Sequence, residues 1–201
     1  MNSNSFPIVA LGASAGGIQA LNEFFSHVSP KLNFAFVVIT HLKRNSKSAL
    51  DKIISRNTTM PVNWATDGQA IEPNQVYVLP VNKYMTIEHG KFQLVDRDPL
   101  NKINNAIDIF FESLAKAKDG KSIGIILSGA GTDGTTGAIH MYNQGGLVMA
   151  QDLASAEIDG MPYWAILKDH VRFILPPGEL AKTLPKLTIS QEGQQSKLTR
   201  S

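Results

Sequence analysis

Hydrophobic and polar positions in this chain fall into two kinds of segment that alternate. Short, continuous apolar runs indicate strands that are buried on both faces, whereas apolar residues spaced three and four apart indicate amphipathic helices. The first pair consists of the apolar run 8–11, followed by the segment 18–25 with Ile18, Leu21 and Phe25 on one face. It predicts a strand, a tight turn and a helix.

The same alternation continues to about residue 187, with one interruption at the segments 84–87 and 92–95, which predict a β-hairpin around a glycine-containing loop. Further strands are predicted at 34–40, 61–64, 75–79, 122–127, 147–150 and 172–175, and further helices at 46–56, 105–116, 135–144, 161–169 and 177–187. This pattern predicts an α/β fold: a doubly wound, mostly parallel sheet with helices on both faces and a β-hairpin insertion.

The chain is predicted to form one domain over residues 6–187, because no linker divides this part of the sequence. From residue 188 to 201 the residues are mostly Ser, Gln, Lys, Thr and Arg. Such a segment has little apolar surface to bury, and we expect it to be a disordered tail.

The turn between the first strand and the first helix reads Gly12-Ala13-Ser14-Ala15-Gly16. It fits G-x-S-x-G, a pattern that holds a nucleophilic serine between a strand and a helix. In that arrangement the amide of Ala15, at the head of the helix, faces a developing oxyanion. A serine that caps the helix is the alternative for Ser14.

A dinucleotide-binding turn is a second alternative for the same glycines. That function needs an acidic residue about 20 residues further along, at the end of the second strand, to bind the ribose. Here the second strand ends at His41, and the nearest acidic residue downstream is Asp51. Dinucleotide binding is therefore disfavoured.

Three loops that follow predicted strands carry reactive side chains: Ser14, His41 and Asp133. In a doubly wound sheet the carboxyl ends of the strands share one edge, and ligands bind there. A serine becomes a strong nucleophile when an imidazole, oriented by a carboxylate, takes its proton. The three residues together predict a Ser-His-Asp triad, although a loop histidine and a helix-capping aspartate would explain His41 and Asp133 singly.

Composition excludes several other kinds of function. The 201 residues carry a net charge of +2, which is too small to indicate binding to nucleic acid or to a membrane surface. With no cysteine there is no disulfide, thiol nucleophile or zinc–thiolate site. No apolar run approaches the roughly 18 residues of a membrane span, and the N-terminus lacks the features of a signal peptide. We therefore expect a cytoplasmic protein that does not insert into membranes.

Four spaced motifs resemble the catalytic domain of the chemotaxis protein-glutamate methylesterases, and they stand in the order of that family. The resemblance extends from about Phe6 to Leu187 and is closest to the methylesterase part of methylesterase–methyltransferase fusions. The motifs are Gly12-Ala13-Ser14-Ala15-Gly16-Gly17, Thr40-His41, the run from Leu127 to Gly134, and Ala150-Gln151-Asp152 with Gly160-Met161-Pro162.

The resemblance implies a serine hydrolase in which Ser14 is the nucleophile, His41 the general base and acid, and Asp133 the residue that orients His41. Ala15, Ala130 and Gly131 would border the oxyanion or the substrate. The implied reaction hydrolyses γ-glutamyl methyl esters on methyl-accepting chemoreceptors, and some members of the family also deamidate receptor glutamines. No metal or cofactor is implied. The implied partners are a chemoreceptor or similar signalling protein and, in trans, a methyltransferase or a receiver domain.

Some positions depart from the pattern of the family. Ala130 stands where methionine is frequent, Ala15 where threonine is frequent, and Tyr163-Trp164 where an arginine is common. These changes concern contacts with the receptor more than the triad. Two other functions therefore stay open: hydrolysis of a different ester or amide, and a non-catalytic binding module with the same fold.

Overall fold

The computed structural model describes residues 6–42, 48–118, 121–168 and 170–198, with side chains in the last helix described to residue 187. The strands are β1 (Ile8–Ala13), β2 (Ala35–Thr40), β3 (Val62–Trp64), β4 (Val76–Val78), β5 (Lys83–Glu88), β6 (Lys91–Asp96), β7 (Ser122–Ile126), β8 (Leu147–Gln151) and β9 (Phe173–Leu175). The helices are α1 (Gly17–His27), α2 (Leu50–Ile54), α3 (Ala106–Lys118), α4 (Thr135–Asn143), α5 (Gly160–Leu167) and α6 (Pro177–Leu198).

Seven strands form one sheet in the order β3-β4-β2-β1-β7-β8-β9, and all neighbouring strands in it are parallel. From β1 the chain builds one half of the sheet through β2, and β7 then begins the other half, so the strand order reverses between β1 and β7. Strands β5 and β6 form a separate antiparallel hairpin. The predicted doubly wound α/β fold with a hairpin insertion is confirmed.

Burial explains why the central strands are apolar at every position. Every residue of β1 is buried, and its side chains alternate between two layers. Ile8 and Ala10 pack in the layer that contains α3, whereas Val9 and Leu11 pack in the layer that contains α1 and α6. Helices on both faces of the sheet therefore require the continuous apolar runs seen in the sequence.

The chain differs from the sequence prediction at two helices. Helix α2 covers 50–54, shorter than the predicted 46–56, and residues 46 and 47 lie outside the described residues. Helix α6 runs on to Leu198, so the backbone of 188–198 is helical where we expected a disordered tail. Glutamine, lysine, glutamate and leucine are good helix formers even where little apolar surface is buried. Residues 199–201 lie outside the described residues, and the boundary of the domain at 187 stays a prediction.

Among the described residues, no helix has the length and apolar character needed to cross a membrane.

Candidate active site

Three adjacent strands, β2, β1 and β7, bring the three candidate loops to one edge of the sheet. Ala13 and Thr40 are paired in the register of β1 and β2, so Ser14 and His41 are the next residues on two strands about 5 Å apart. The amide of His41 donates to the carbonyl of Ala13 over 3.3 Å, and the amide of Ser14 donates to the carbonyl of Ser128 over 2.9 Å. Backbone contacts therefore fix both residues at the reversal of strand order.

His41 and Asp133 form a close hydrogen-bonded pair. Nε2 of His41 lies 2.6 Å from Oδ2 of Asp133, and the two side chains are 18% and 7% exposed. A short contact of this kind between imidazole and carboxylate is a charge-assisted hydrogen bond when the ring is protonated. Because Nε2 contacts the carboxylate, Nδ1 is the ring nitrogen left to exchange a proton with another group.

The Asp133 carboxylate is held by the first turn of α3. Oδ2 accepts a hydrogen bond from the amide of Ile107 over 3.0 Å. Oδ1 accepts from the amides of Asp108 over 2.9 Å and Gly134 over 3.0 Å. Backbone amides at the start of a helix favour a negative charge. Backbone amides therefore fix the position of the carboxylate that contacts His41.

Ser14 lies half-buried on the turn into α1. The turn is closed by the amide of Gly17, which donates to the carbonyl of Ser14 over 3.0 Å, and Gly16 adopts a φ of 74°. A Cβ atom at Gly16 would also lie 2.6 Å from Oγ of Ser128, so this position requires glycine. Within the described part of the chain, Oγ of Ser14 has no hydrogen-bond partner. The structure thus joins His41 to Asp133, and it places Ser14 on the neighbouring loop without a hydrogen bond to His41.

Two backbone amides beside Ser14 are available to a ligand. Considering the described residues alone, the amides of Ala15 and Ala130 have no acceptor, and both residues are exposed. The amide of Gly129, in contrast, donates to the carbonyl of Ile158 over 2.9 Å. The roles predicted for Ala15, Ala130 and Gly131 at an oxyanion or substrate stay predictions.

An open cavity of about 550 Å³ adjoins the candidate nucleophile. Its volume lies in the range of ordinary ligand pockets, so it has room for a substrate side chain with its neighbouring backbone. It is lined by Ser14, Ala15, Gly16, Ile18, Gln19, Asn22 and Glu157. The cavity therefore opens over the first turns of α1.

Asp108 is a second acid beside the pair, and its role is not evident from the sequence. Its Oδ1 accepts a hydrogen bond from the amide of Gly137 over 2.8 Å. Burial, and then the neighbouring charge of Asp133, raise the pKa of Asp108 to about 6. In the sequence Asp108 occupies a polar position of an amphipathic helix, and nothing in that pattern indicates a shared carboxyl site.

Ser128 is a buried residue next to the candidate site, and its contacts are not evident from the sequence. Its side chain is fully buried, and Oγ lies 2.9 Å from the carbonyl oxygen of Ala15, to which it donates. Oγ of Ser128 also accepts a hydrogen bond from the amide of Ile158 over 3.0 Å. Ser128 therefore ties the loop that carries Ser14 to the loop before α5.

No group of three His, Asp or Glu side chains within the described residues has an arrangement that could hold a metal ion.

Comparison with known proteins identifies the family. The family model described as CheB methylesterase matches residues 9–184. The chain belongs to the CheB methylesterase family. It is 32% identical over 185 residues to a protein-glutamate methylesterase/protein-glutamine glutaminase of Xanthomonas oryzae pv. oryzae, covering 90% of this chain and 51% of the relative.

A second relative and a solved structure support the same assignment. The protein-glutamate methylesterase/protein-glutamine glutaminase of the group 3 operon of Pseudomonas putida is 32% identical over 178 residues, covering 88% of this chain and 53% of the relative. The crystal structure of the CheB methylesterase catalytic domain of Thermotoga maritima matches with a TM-score of 0.85 and 28% identity. That match covers 91% of this chain and 99% of the other. The chain spans about half the length of these two curated relatives, which is the length of one CheB catalytic domain.

Proposed function

We propose that this CheB-type domain hydrolyses γ-methyl esters of glutamate side chains on methyl-accepting chemoreceptors, and that it also deamidates receptor glutamines. The observation that carries the proposal is the 2.6 Å contact between His41 and Asp133, one strand away from Ser14. Related proteins with both activities in their names support this choice of substrate.

The reaction proceeds through an acyl-enzyme. Oγ of Ser14 attacks the ester carbonyl while Nδ1 of His41 takes its proton, and Asp133 stabilises the imidazolium that forms. The amides of Ala15 and Ala130, which have no acceptor among the described residues, donate to the oxyanion. His41 then protonates the departing methanol, and a water molecule hydrolyses the acyl-enzyme to glutamate.

The apo geometry requires a small adjustment before reaction. Ser14 and His41 follow paired residues of adjacent strands, and we propose that a change of side-chain rotamer brings Oγ and Nδ1 into contact. Catalytic hydrogen bonds are often loose without substrate and tighten in the complex. We propose that a receptor segment bound in the 550 Å³ cavity produces this closure.

The partners follow from the same assignment. The substrate is a chemoreceptor or a similar signalling protein, and a receiver domain or a methyltransferase acts on this domain in trans. We place the activity in the cytoplasm, as the resemblance to chemotaxis methylesterases implies.

The deciding experiment measures methanol released from a methylated receptor, together with the loss of the methyl groups by mass spectrometry. Replacement of Ser14 by alanine should lower turnover by about 10⁴-fold or more. Ser26→Ala is the matched control, because Ser26 is an exposed serine of α1 whose hydrogen-bond partners among the described residues are Glu23 and His27 of the same helix. Its activity should equal that of the wild type.

Three outcomes would contradict the proposal. Full activity of Ser14→Ala would exclude the serine mechanism. Hydrolysis of small esters without any action on receptor would instead favour a different ester or amide substrate. The exposed aromatic pair Tyr163 and Trp164 on α5 would then be a candidate contact for that substrate. Receptor binding without labelling of Ser14 by a serine-reactive phosphonate would indicate a non-catalytic binding module.

A further inference from the structure

A small polar cavity is lined by Thr40 and Leu42, the two residues that flank His41 in the chain. The end of β2 forms one wall, the segment 79–83 a second and the residues just before α3 a third. Its volume is about 10 Å³, close to the smallest space that holds one water molecule. The cavity is not part of the opening beside Ser14, since the two share no lining residue.

Buried polar atoms without a partner are concentrated in this cavity. The described part of the chain contains six such side-chain atoms, and four of them belong to residues that line it. They are Oγ1 of Thr40, Oδ1 of Asn82, Nε of Arg97 and Oδ1 of Asn104. A buried polar atom is normally hydrogen-bonded to protein or to an ordered water, so four in one small space indicate a bound group.

Arg97 cannot easily turn its Nε toward solvent. The guanidinium lies over the ring of Tyr84, 5.3 Å from its centroid, and Nη2 donates to the carbonyl of Ile103 over 3.3 Å. The backbone amide of Arg97 donates to the carbonyl of Asn82 over 2.9 Å. Contacts of both the guanidinium and the backbone amide of Arg97 therefore hold Nε in place.

The four atoms match the hydrogen-bonding capacity of one water molecule. Nε of Arg97 is a donor, the hydroxyl of Thr40 can donate, and the amide oxygens of Asn82 and Asn104 accept. We propose that the cavity binds one ordered water, which accepts from Arg97 and Thr40, donates to Asn82 and Asn104, and thereby positions His41. A water with this set of partners has all four of its hydrogen bonds made.

The position of the cavity explains why this water would affect the catalytic pair. Thr40 directly precedes His41, and Asn104 lies two residues before α3, whose first amides hold Asp133. The water therefore joins the backbone beside the imidazole to the backbone that fixes the carboxylate. The positioning role rests on the proposed function, whereas the water site does not.

A crystal structure of the whole chain at about 1.5 Å resolution or better tests the site directly. We expect one density peak at roughly 2.6–3.2 Å from the four atoms. A cavity without density would overturn the proposal. Uptake of bromide after a soak would also overturn it, because a halide would mean that Asn82 and Asn104 present their N–H groups to the cavity.

The positioning role is tested with Thr40→Val, which removes the hydroxyl and keeps the shape of the side chain. We expect kcat on a methyl-ester peptide to fall about tenfold with KM unchanged, since small misplacements of catalytic groups act on kcat. Thr40→Ser should restore kcat to within about twofold, because it restores the hydroxyl. Thr86→Val is the matched control on β5, and it should leave kcat unchanged. Equal kcat in Thr40→Val and wild type would overturn the positioning role.

A further readout does not depend on activity. The ¹⁵N resonances of the His41 ring report its hydrogen bond to Asp133, and we expect them to shift in Thr40→Val but not in Thr86→Val. Asn104→Ala provides a second variant in case Thr40→Val does not fold, and it should shift the same resonances. If the wild type hydrolyses no ester, the proposed function fails, while the crystal structure and these resonances still decide the water site. Unshifted resonances in both variants would overturn the proposal.

Discussion

The backbone amide of Asp108 donates a 2.9 Å hydrogen bond to Oδ1 of Asp133, so two acidic residues share the start of α3. Asp133 receives three backbone amides and His41. The Asp108 carboxyl accepts fewer hydrogen bonds than Asp133 does, and Asp133 is its charged neighbour. Burial first, and then that neighbour, raise the pKa of Asp108 to about 6 from its ordinary value of 3.8. Asp108 therefore lies close to its titration point near neutral pH.

This raised pKa predicts a specific pH dependence of stability. The folded protein binds a proton at Asp108 more tightly than the unfolded chain does. The resulting stabilisation is fully present below about pH 4 and is lost as the pH rises through about 6. Asp108→Asn, which stays neutral, should therefore be more stable than the wild type at pH 8 by on the order of 1–2 kcal/mol and nearly equal to it near pH 4.

Urea unfolding at a series of pH values measures this difference. Asp96→Asn is the control, because the Asp96 side chain is 83% exposed and forms a surface ion pair with Lys83. A constant stability difference between Asp108→Asn and the wild type from pH 4 to pH 8 would show that Asp108 does not titrate in this range.

Substitution of Asp133 by asparagine is expected to affect both activity and stability. The neutral side chain no longer stabilises the imidazolium of His41, and its NH₂ group would face the amide donors of Ile107 or Gly134. We expect kcat to fall by roughly 10³–10⁴-fold and the free energy of unfolding to fall by about 1–3 kcal/mol. Steady-state kinetics and urea unfolding check the two effects, and a loss of less than about tenfold in kcat would exclude the assigned role.

Gly129 is expected to tolerate no side chain, because it approaches Ser14 closely. A Cβ atom there would collide with Sδ of Met161 and lie 2.8 Å from Cβ of Ser14. Gly129→Ala should therefore displace Ser14 and lower kcat by about 100-fold or more.

Gly124→Ala is the matched control for this prediction. Gly124 is a buried residue of β7, and a Cβ atom there would lie 2.8 Å from Sδ of Met141, which is not a residue of the candidate site. The substitution should lower stability through overpacking, by about 1–3 kcal/mol, without changing kcat per folded molecule. Equal effects of the two substitutions on kcat would mean that Gly129 acts only through general packing.

Ser128→Ala tests the connection between the Ser14 loop and the loop before α5. The substitution leaves the amide of Ile158 without its side-chain acceptor and the carbonyl of Ala15 without its side-chain donor. We expect a loss of about 1–3 kcal/mol in the free energy of unfolding. The exposed Ser26→Ala should change it by no more than about 0.5 kcal/mol. Chemical denaturation compares the two, and similar small losses would contradict the role of Ser128.

Much of the architecture could be predicted from the sequence, because strands buried on both faces have continuous apolar runs. The loops of Ser14, His41 and Asp133 could also be assigned to one edge of the sheet, because the carboxyl ends of parallel strands lie on the same side. The topology then makes β2, β1 and β7 neighbours, and this brings His41 to Asp133 across 92 positions of sequence.

The sequence could not predict the supports of the site. The amides of Ile107 and Asp108 hold Asp133 only because α3 begins beside the loop after β7, and helical periodicity says nothing about where a helix begins in space. The same is true of the cavity that Thr40 shares with Arg97, which forms where the segment after the hairpin passes the end of β2. The C-terminal extent of helix α6 could not be predicted for a different reason. Its polar composition is shared by disordered segments and by exposed helices.

The outermost strands of the large sheet, β3 and β9, have three residues each. Each edge therefore offers few unpaired backbone groups to a strand from another molecule, and a short edge is one of the ways in which proteins avoid aggregation. The candidate site therefore lies on the central strands, and the two short edge strands leave little backbone on which fibrous self-association could begin.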